Sequence, residues 1–287
     1  MDIDRGGSPG PKRGAPAAFE PREPRYALED AVLPERTKKA VLDALAAREL
    51  EDLVFGIWGL GAGRAHTRRV GINLYGPPGT GKTMVAHGIA ARLGKRILVV
   101  DYADIESKYV GDTPKNLSVA FGVAAEEDCV IFFDEADAIL SRRLTSMQNA
   151  TDTSVNQTRS VLLTLLNDFE GVAIFATNFI ENYDPAFMRR MLAQVRFELP
   201  DQACVERLLS GMMPPAMPTD ADPASLAPAA AGLSGGDLAN AVLLAALRGA
   251  RDEPPFVRRE YFLEAFSSIR AGMEANEGRR ALSNLRS

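Results

Sequence analysis

Through the middle of the chain, short apolar runs alternate with amphipathic stretches. Val70–Tyr75, Ile97–Asp101, Cys129–Phe133, Val172–Ala176 and Val195–Leu199 have the length and composition of strands. Between and after them, residues 82–93, 114–126, 154–169 and 184–190 follow a helical period. Ahead of them, Leu33-Pro34 leads into a stretch where Val41, Leu42, Leu45 and Leu50 fall near helical spacing. Strand–helix alternation of this kind predicts an α/β fold, a mostly parallel five-stranded sheet with helices on both faces. After Pro200 the strands stop. Residues 202–212, 235–250 and 257–272 are helical in period, and in the middle one Leu238, Ala241, Val242 and Ala245 share a face. The expected division is an α/β domain over 25–200 and a small all-helical domain over 201–287. Residues 1–24, rich in Pro and Gly with almost nothing apolar to bury, are expected to be a disordered tail.

Composition narrows the class. The 287 residues carry 33 Lys+Arg against 38 Asp+Glu, a net charge of -5, which argues against a protein built to wrap nucleic acid. Cys129 and Cys204 cannot form a disulfide framework, and a reducing, cytoplasmic setting follows. The two histidines, His66 and His87, are too far apart for an H-E-x-x-H zinc helix. No apolar run reaches the roughly 18–20 residues that span a bilayer, and the first residues lack the apolar core of a secretory signal.

The chemistry concentrates at two strand ends. Gly76-Pro77-Pro78-Gly79-Thr80-Gly81-Lys82-Thr83 satisfies G-x-x-x-x-G-K-[ST] after a strand and before a helix. Its glycines let backbone N–H groups converge on an anion, and the following helix adds the positive end of its dipole. Lys82 supplies a charge for the β- and γ-phosphates of ATP, and Thr83 offers a hydroxyl to Mg²⁺. Met84, next in the helix, joins the nucleotide-binding set. The run Val130–Phe133 ends in Asp134-Glu135, at the strand ends where open α/β sheets bind ligands. Asp134 suits Mg²⁺, and Glu135 suits a base that deprotonates an attacking water, which favours hydrolysis over transfer to an organic acceptor. Asp137 reads as structural.

GPPGTGKT, VIFFDEAD, ATNF and DPAFMRR stand in order, and with them the chain resembles the classical AAA branch of the AAA+ ATPases from about Tyr26 to Gly272. The resemblance implies that Asn178 is sensor 1, bonding the γ-phosphate or the lytic water. It implies that Arg189 and Arg190 are arginine fingers reaching a neighbouring subunit's nucleotide, and hence a homo-oligomer, in this family a hexamer. The segment Arg-Arg-Met-Leu-Ala-Gln-Val-Arg-Phe is closer to the microtubule-severing and membrane-scission members than to the Arg-Pro-Gly-Arg-Phe form. Ser234-Gly235-Gly236-Asp237 resembles the start of the lid helix that touches adenosine, and Asp30-Ala31-Val32 the segment lining the adenine pocket.

Lys108-Tyr109-Val110-Gly111 looks like the central pore loop of protein-threading rings, where an aromatic and a β-branched side chain grip extended polypeptide. Residues 141–153 are a possible second pore loop or a solvated one. The leading expectation is a Mg²⁺-dependent ATPase ring that unfolds, disassembles or remodels a protein substrate, with an adaptor as a further partner. The alternative is a nucleotide-switched scaffold that assembles on ATP and recruits a partner with slow turnover.

Overall fold

The protein's structure, a computed structural model, describes residues 19–60, 69–101, 105, 112–140, 150–178 and 184–284. Five strands form one parallel sheet: β1 (Val70–Tyr75), β2 (Ile97–Val100), β3 (Val130–Phe133), β4 (Val172–Thr177) and β5 (Ala193–Arg196), in the order β2-β3-β4-β1-β5. Helices α1 (Glu35–Glu49), α2 (Lys82–Arg92), α3 (Asp112–Glu126), α4 (Asp137–Leu140), α5 (Ala150–Asp168) and α6 (Pro185–Met188) accompany it. Beyond the sheet follow α7 (Gln202–Met212), α8 (Pro223–Leu226), α9 (Gly235–Gly249) and α10 (Arg259–Asn284).

The strands are apolar runs because both faces are covered. Successive side chains point to opposite faces. Ile131, Phe133, Ala173 and Phe175 therefore join a core with α3 and α5, while Val130, Phe132, Ile174 and Leu74 join one with α1 and α2. Phe133 and Phe175 stack at 4.8 Å between ring centroids. The C-terminal helices close a third core around Leu209, Leu238, Ala241, Phe262 and Phe266.

Two boundaries differ from the sequence reading. The last strand lies at Ala193–Arg196 rather than Val195–Leu199, because β5 pairs only with β1 and Arg196 already faces Tyr75, the last residue of β1. Residues 19–24, assigned from composition to the tail, instead belong to the folded part. Phe19 is only 3% exposed in the α3–α5 core. Arg22 exchanges two backbone hydrogen bonds of 2.8 Å with Ile97, covering the open side of edge strand β2 there. The strap continues across α2: the Arg25 N–H donates to His87 Nδ1 at 3.2 Å, and Leu28 lies against Gly88. A Cβ on Gly88 would sit 2.7 Å from the Leu28 Cα, so only glycine admits the strap this closely.

Candidate nucleotide site

The loop between β1 and α2 is a cradle that side chains would fill. Gly76 (φ +145°) places a hypothetical Cβ 2.1 Å from the Phe197 carbonyl oxygen, and Gly79 (φ +72°) places one 2.4 Å from Ser234 Oγ. Gly81 caps α2 at φ +96°. The Thr80 hydroxyl donates to the Pro77 carbonyl at 2.8 Å and closes the turn.

Lys82, 8% exposed, donates from Nζ to the Gly76 and Pro77 carbonyls, each at 2.8 Å, and to Asn178 Oδ1 at 3.0 Å. Burial lowers its pKa, opposed by the nearby Asp134 and Asp137 carboxylates. The strand order explains this meeting. β4 lies between β3 and β1, so Asn178 at its end stands between the two acids and the loop. With Oδ1 engaged by Lys82, the Asn178 amide is oriented to present its NH₂ as a donor.

Across the same strand ends, Thr83 Oγ1 donates to Asp134 Oδ2 at 2.8 Å. The other oxygen, Oδ1, accepts the Glu135 N–H at 2.9 Å. Glu135 is exposed with φ +48°, a left-handed conformation costing a non-glycine residue roughly 1–2 kcal/mol. Asp137 accepts the Asn178 N–H at 3.3 Å, and Ala136 N–H donates to Ala176 O at 2.9 Å. These bonds pin the acidic turn to the end of β4, and they give Asp137 a structural task.

A cavity of about 300 Å³ adjoins the cradle. It gathers Val32, Met84, Gly235 and Gly236, all expected from sequence to bind the nucleotide, with Gly79 of the loop. It adds Leu208 and Met212 of α7, which the sequence reading did not single out. They lie in the stretch 202–212, whose helical period does not by itself say which residues face a ligand. A larger cavity of about 560 Å³ lies at the opposite end of the sheet, walled by Phe121, Cys129 and Phe169. It has no glycine cradle or lysine and plays no part in this chemistry.

Arg189 is exposed just after α6. Arg190 is half-buried and donates from Nε to Asn167 Oδ1 at 3.0 Å and from Nη1 to the Ala186 carbonyl at 2.6 Å. Among the described residues neither arginine bonds to the glycine loop. Lys108, Tyr109, Val110 and Gly111 lie outside the described residues, as do 141–149.

The donors fit a nucleoside triphosphate with Mg²⁺. The glycine cradle offers backbone N–H groups and a lysine to phosphates, and the Thr83–Asp134 pair is a hard-oxygen set. Mg²⁺ is usually held by one or two such groups plus substrate phosphates. Among the described residues no cluster of three or more His, Cys, Asp or Glu could hold a metal ion.

Fold and site together define a P-loop nucleotide-binding protein. Residues 72–200 match the profile of the ATPase family associated with various cellular activities (AAA), so the chain carries an AAA ATPase domain. It is similar to the 26S proteasome regulatory subunit 10B of Dictyostelium discoideum, 34% identical over 203 residues, covering 68% of this chain and 51% of that protein. It is 38% identical over 140 residues to the 26S proteasome subunit RPT4 of Saccharomyces cerevisiae, 46% of this chain and 32% of that one. It is 33% identical over 211 residues to the ATP-dependent zinc metalloprotease FtsH of Lachnoclostridium phytofermentans, 70% of this chain and 36% of that one. The chain thus spans about half the length, or less, of these relatives.

Proposed function

We propose that the protein is a Mg²⁺-dependent ATPase that works as a homo-oligomeric ring, a hexamer, and unfolds or remodels a protein substrate through its central pore. The observation that carries the ATPase reading is the junction of Lys82, Asn178, Thr83 and Asp134 at the ends of three neighbouring strands, with Glu135 held outward beside it.

Each residue has a task. The cradle and Lys82 bind the phosphates, Thr83 and Asp134 hold Mg²⁺, and the bound ion neutralises phosphate charge. Glu135 is the base: its carboxylate accepts a proton from water. The Asn178 NH₂ orients that water or the γ-phosphate without adding charge. Val32, Met84, Gly235 and Gly236 embrace the base. Arg189 and Arg190, in the segment resembling the severing and scission members, complete a neighbour's site in trans. A trans arginine is worth about 10³–10⁵ in rate.

Two exposed apolar groups support assembly: Ile57, Trp58 (69% exposed) and Leu60 beside the α/β domain, and Leu243, Leu244 and Leu247 on α9. Different patches on one chain suit a head-to-tail contact, the kind that closes rings. Protein threading rests on Lys108–Gly111 and on the likeness to proteasome subunits and an ATP-dependent protease. We place the protein in the cytoplasm: Cys129 and Cys204 are free and buried, which pushes both thiols up to about 11. No helix among the described residues is long and apolar enough to cross a membrane.

Glu135→Gln tests the reading. This variant should bind ATP at parental affinity, lose turnover by at least about a hundredfold, and enlarge to a stable ring on adding ATP, measured by light scattering. Tryptic peptides protected inside that trapped ring should identify engaged client protein. Parental hydrolysis by Glu135→Gln would remove the base assignment. An ATP-loaded form that stays monomeric would remove the ring.

A further inference from the structure

Granting, as above, that Arg190 reaches a neighbouring subunit's nucleotide, we infer that Asn167 is the positioning residue that aims it. Asn167 stands at the end of α5, and its Oδ1 accepts from two guanidinium groups at once, Arg190 Nε at 3.0 Å and Arg69 Nη1 at 3.0 Å. Arg69, which immediately precedes β1, donates from the same nitrogen to the Asn167 backbone carbonyl at 3.1 Å. The Ala186 carbonyl holds Arg190 Nη1 from the other side. The guanidinium is planar and its five donors form a rigid fork. Fixing Nε and Nη1 therefore fixes the direction of Nη2, which makes no hydrogen bond among the described residues.

The charge pattern shows what the fork is aimed at. Two partly buried guanidinium groups converge on one neutral oxygen, and among the described residues no carboxylate pairs with either. Like charges brought together repel, and repel more as water is excluded. A carboxylate at position 167 would relieve that repulsion inside the chain. An amide holds the arginines without neutralising them, and their positive charge stays available to an anion arriving from outside. Exposed Arg189, next to Arg190, adds to that charge. A triphosphate held by another copy of this chain is an anion of the right class.

The experiment is subunit mixing with Asn167→Ala. Alone, this variant should keep its ATP affinity and melting temperature while kcat falls between about tenfold and a hundredfold, the effect of a misaimed group. Mixed with Glu135→Gln subunits, whose arginines are intact, it should regain turnover above the sum of the two separate preparations. Arg190→Ala, mixed in the same way, is the reference. Undiminished kcat in Asn167→Ala would overturn the inference. So would a fall that mixing does not restore while Arg190→Ala is restored, because the damage would then lie in the variant's own site. If neither is restored, arginines acting in trans are wrong, and the positioning role falls with them. Should Asn167→Ala unfold, Asn167→Ser, too short to reach both guanidinium groups, serves the same comparison.

Discussion

At single residues, the site and the core show opposite economies. Lys82 is buried, yet each of its contacts is a named oxygen. Asn73, in the middle of β1, is fully buried, and among the described residues neither its Nδ2 nor its Oδ1 has a partner. A buried polar group left unpaired costs about 1–3 kcal/mol, more than the same volume of hydrocarbon. Asn73→Val, which also suits a strand, should therefore raise stability by about 1–2 kcal/mol. The urea midpoint should move up at constant m value. A lower midpoint would mean that Asn73 binds something that replaces its missing partners, such as an internal water. Position 73 sits in an apolar run, and nothing in the sequence says that its amide goes unpaired. Gly76, Lys82 and Asp134 were legible because phosphate chemistry dictates residue type at fixed spacing. Glu135 was legible as an acid, but its left-handed backbone was not, because that comes from the turn pinned by Ala136 and Asp137.

At the scale of elements, the strands were legible where burial on both faces forces an unbroken apolar run. The end of β5 was not, since its length depends on where β1 turns into the glycine loop. The strap was hidden for another reason. Its composition is that of a tail, and its attachment rests on Phe19, on two backbone bonds at Ile97 and on His87. His87 must be neutral at Nδ1 to accept the Arg25 N–H. Burial lowers its pKa below the ordinary 6.5, the Arg25 charge lowers it further, and Asp134 opposes both. The unfolded chain therefore binds this proton more readily than the folded one. Stability from this group is present above pH 6.5 and is lost as pH falls below it toward the folded pKa. His87→Gln should flatten that part of the profile. Unfolding free energies of parent and variant, compared from pH 7.5 down to 5, should converge as the pH drops. Parallel curves would show that His87 takes up its proton equally well in both states.

At the scale of the whole molecule, the helical domain has its own core and meets the α/β domain at the nucleotide site. The Gly236 N–H donates to the Gly79 carbonyl at 3.1 Å, and Ser234 Oγ sits where a Gly79 side chain would go. The cavity beside this contact takes one wall from the strap, one from the loop and one from α7. On the proposed function, phosphates and base would therefore be gripped by different parts of the protein. The loop would hold the phosphates, whereas the base would be enclosed only with the helical domain in place. That division can be measured. Met212→Ala removes apolar surface from the far wall and leaves the loop untouched. It should weaken ATP binding by about five- to thirtyfold, the equivalent of about 1–2 kcal/mol of lost burial. Inorganic tripolyphosphate, which has no base, should bind parent and Met212→Ala equally. Lys82→Ala should weaken both ligands. Calorimetric titration of the two ligands into the three proteins separates these cases. Equal losses for ATP and tripolyphosphate in Met212→Ala would mean that the helical domain supports the loop rather than the base.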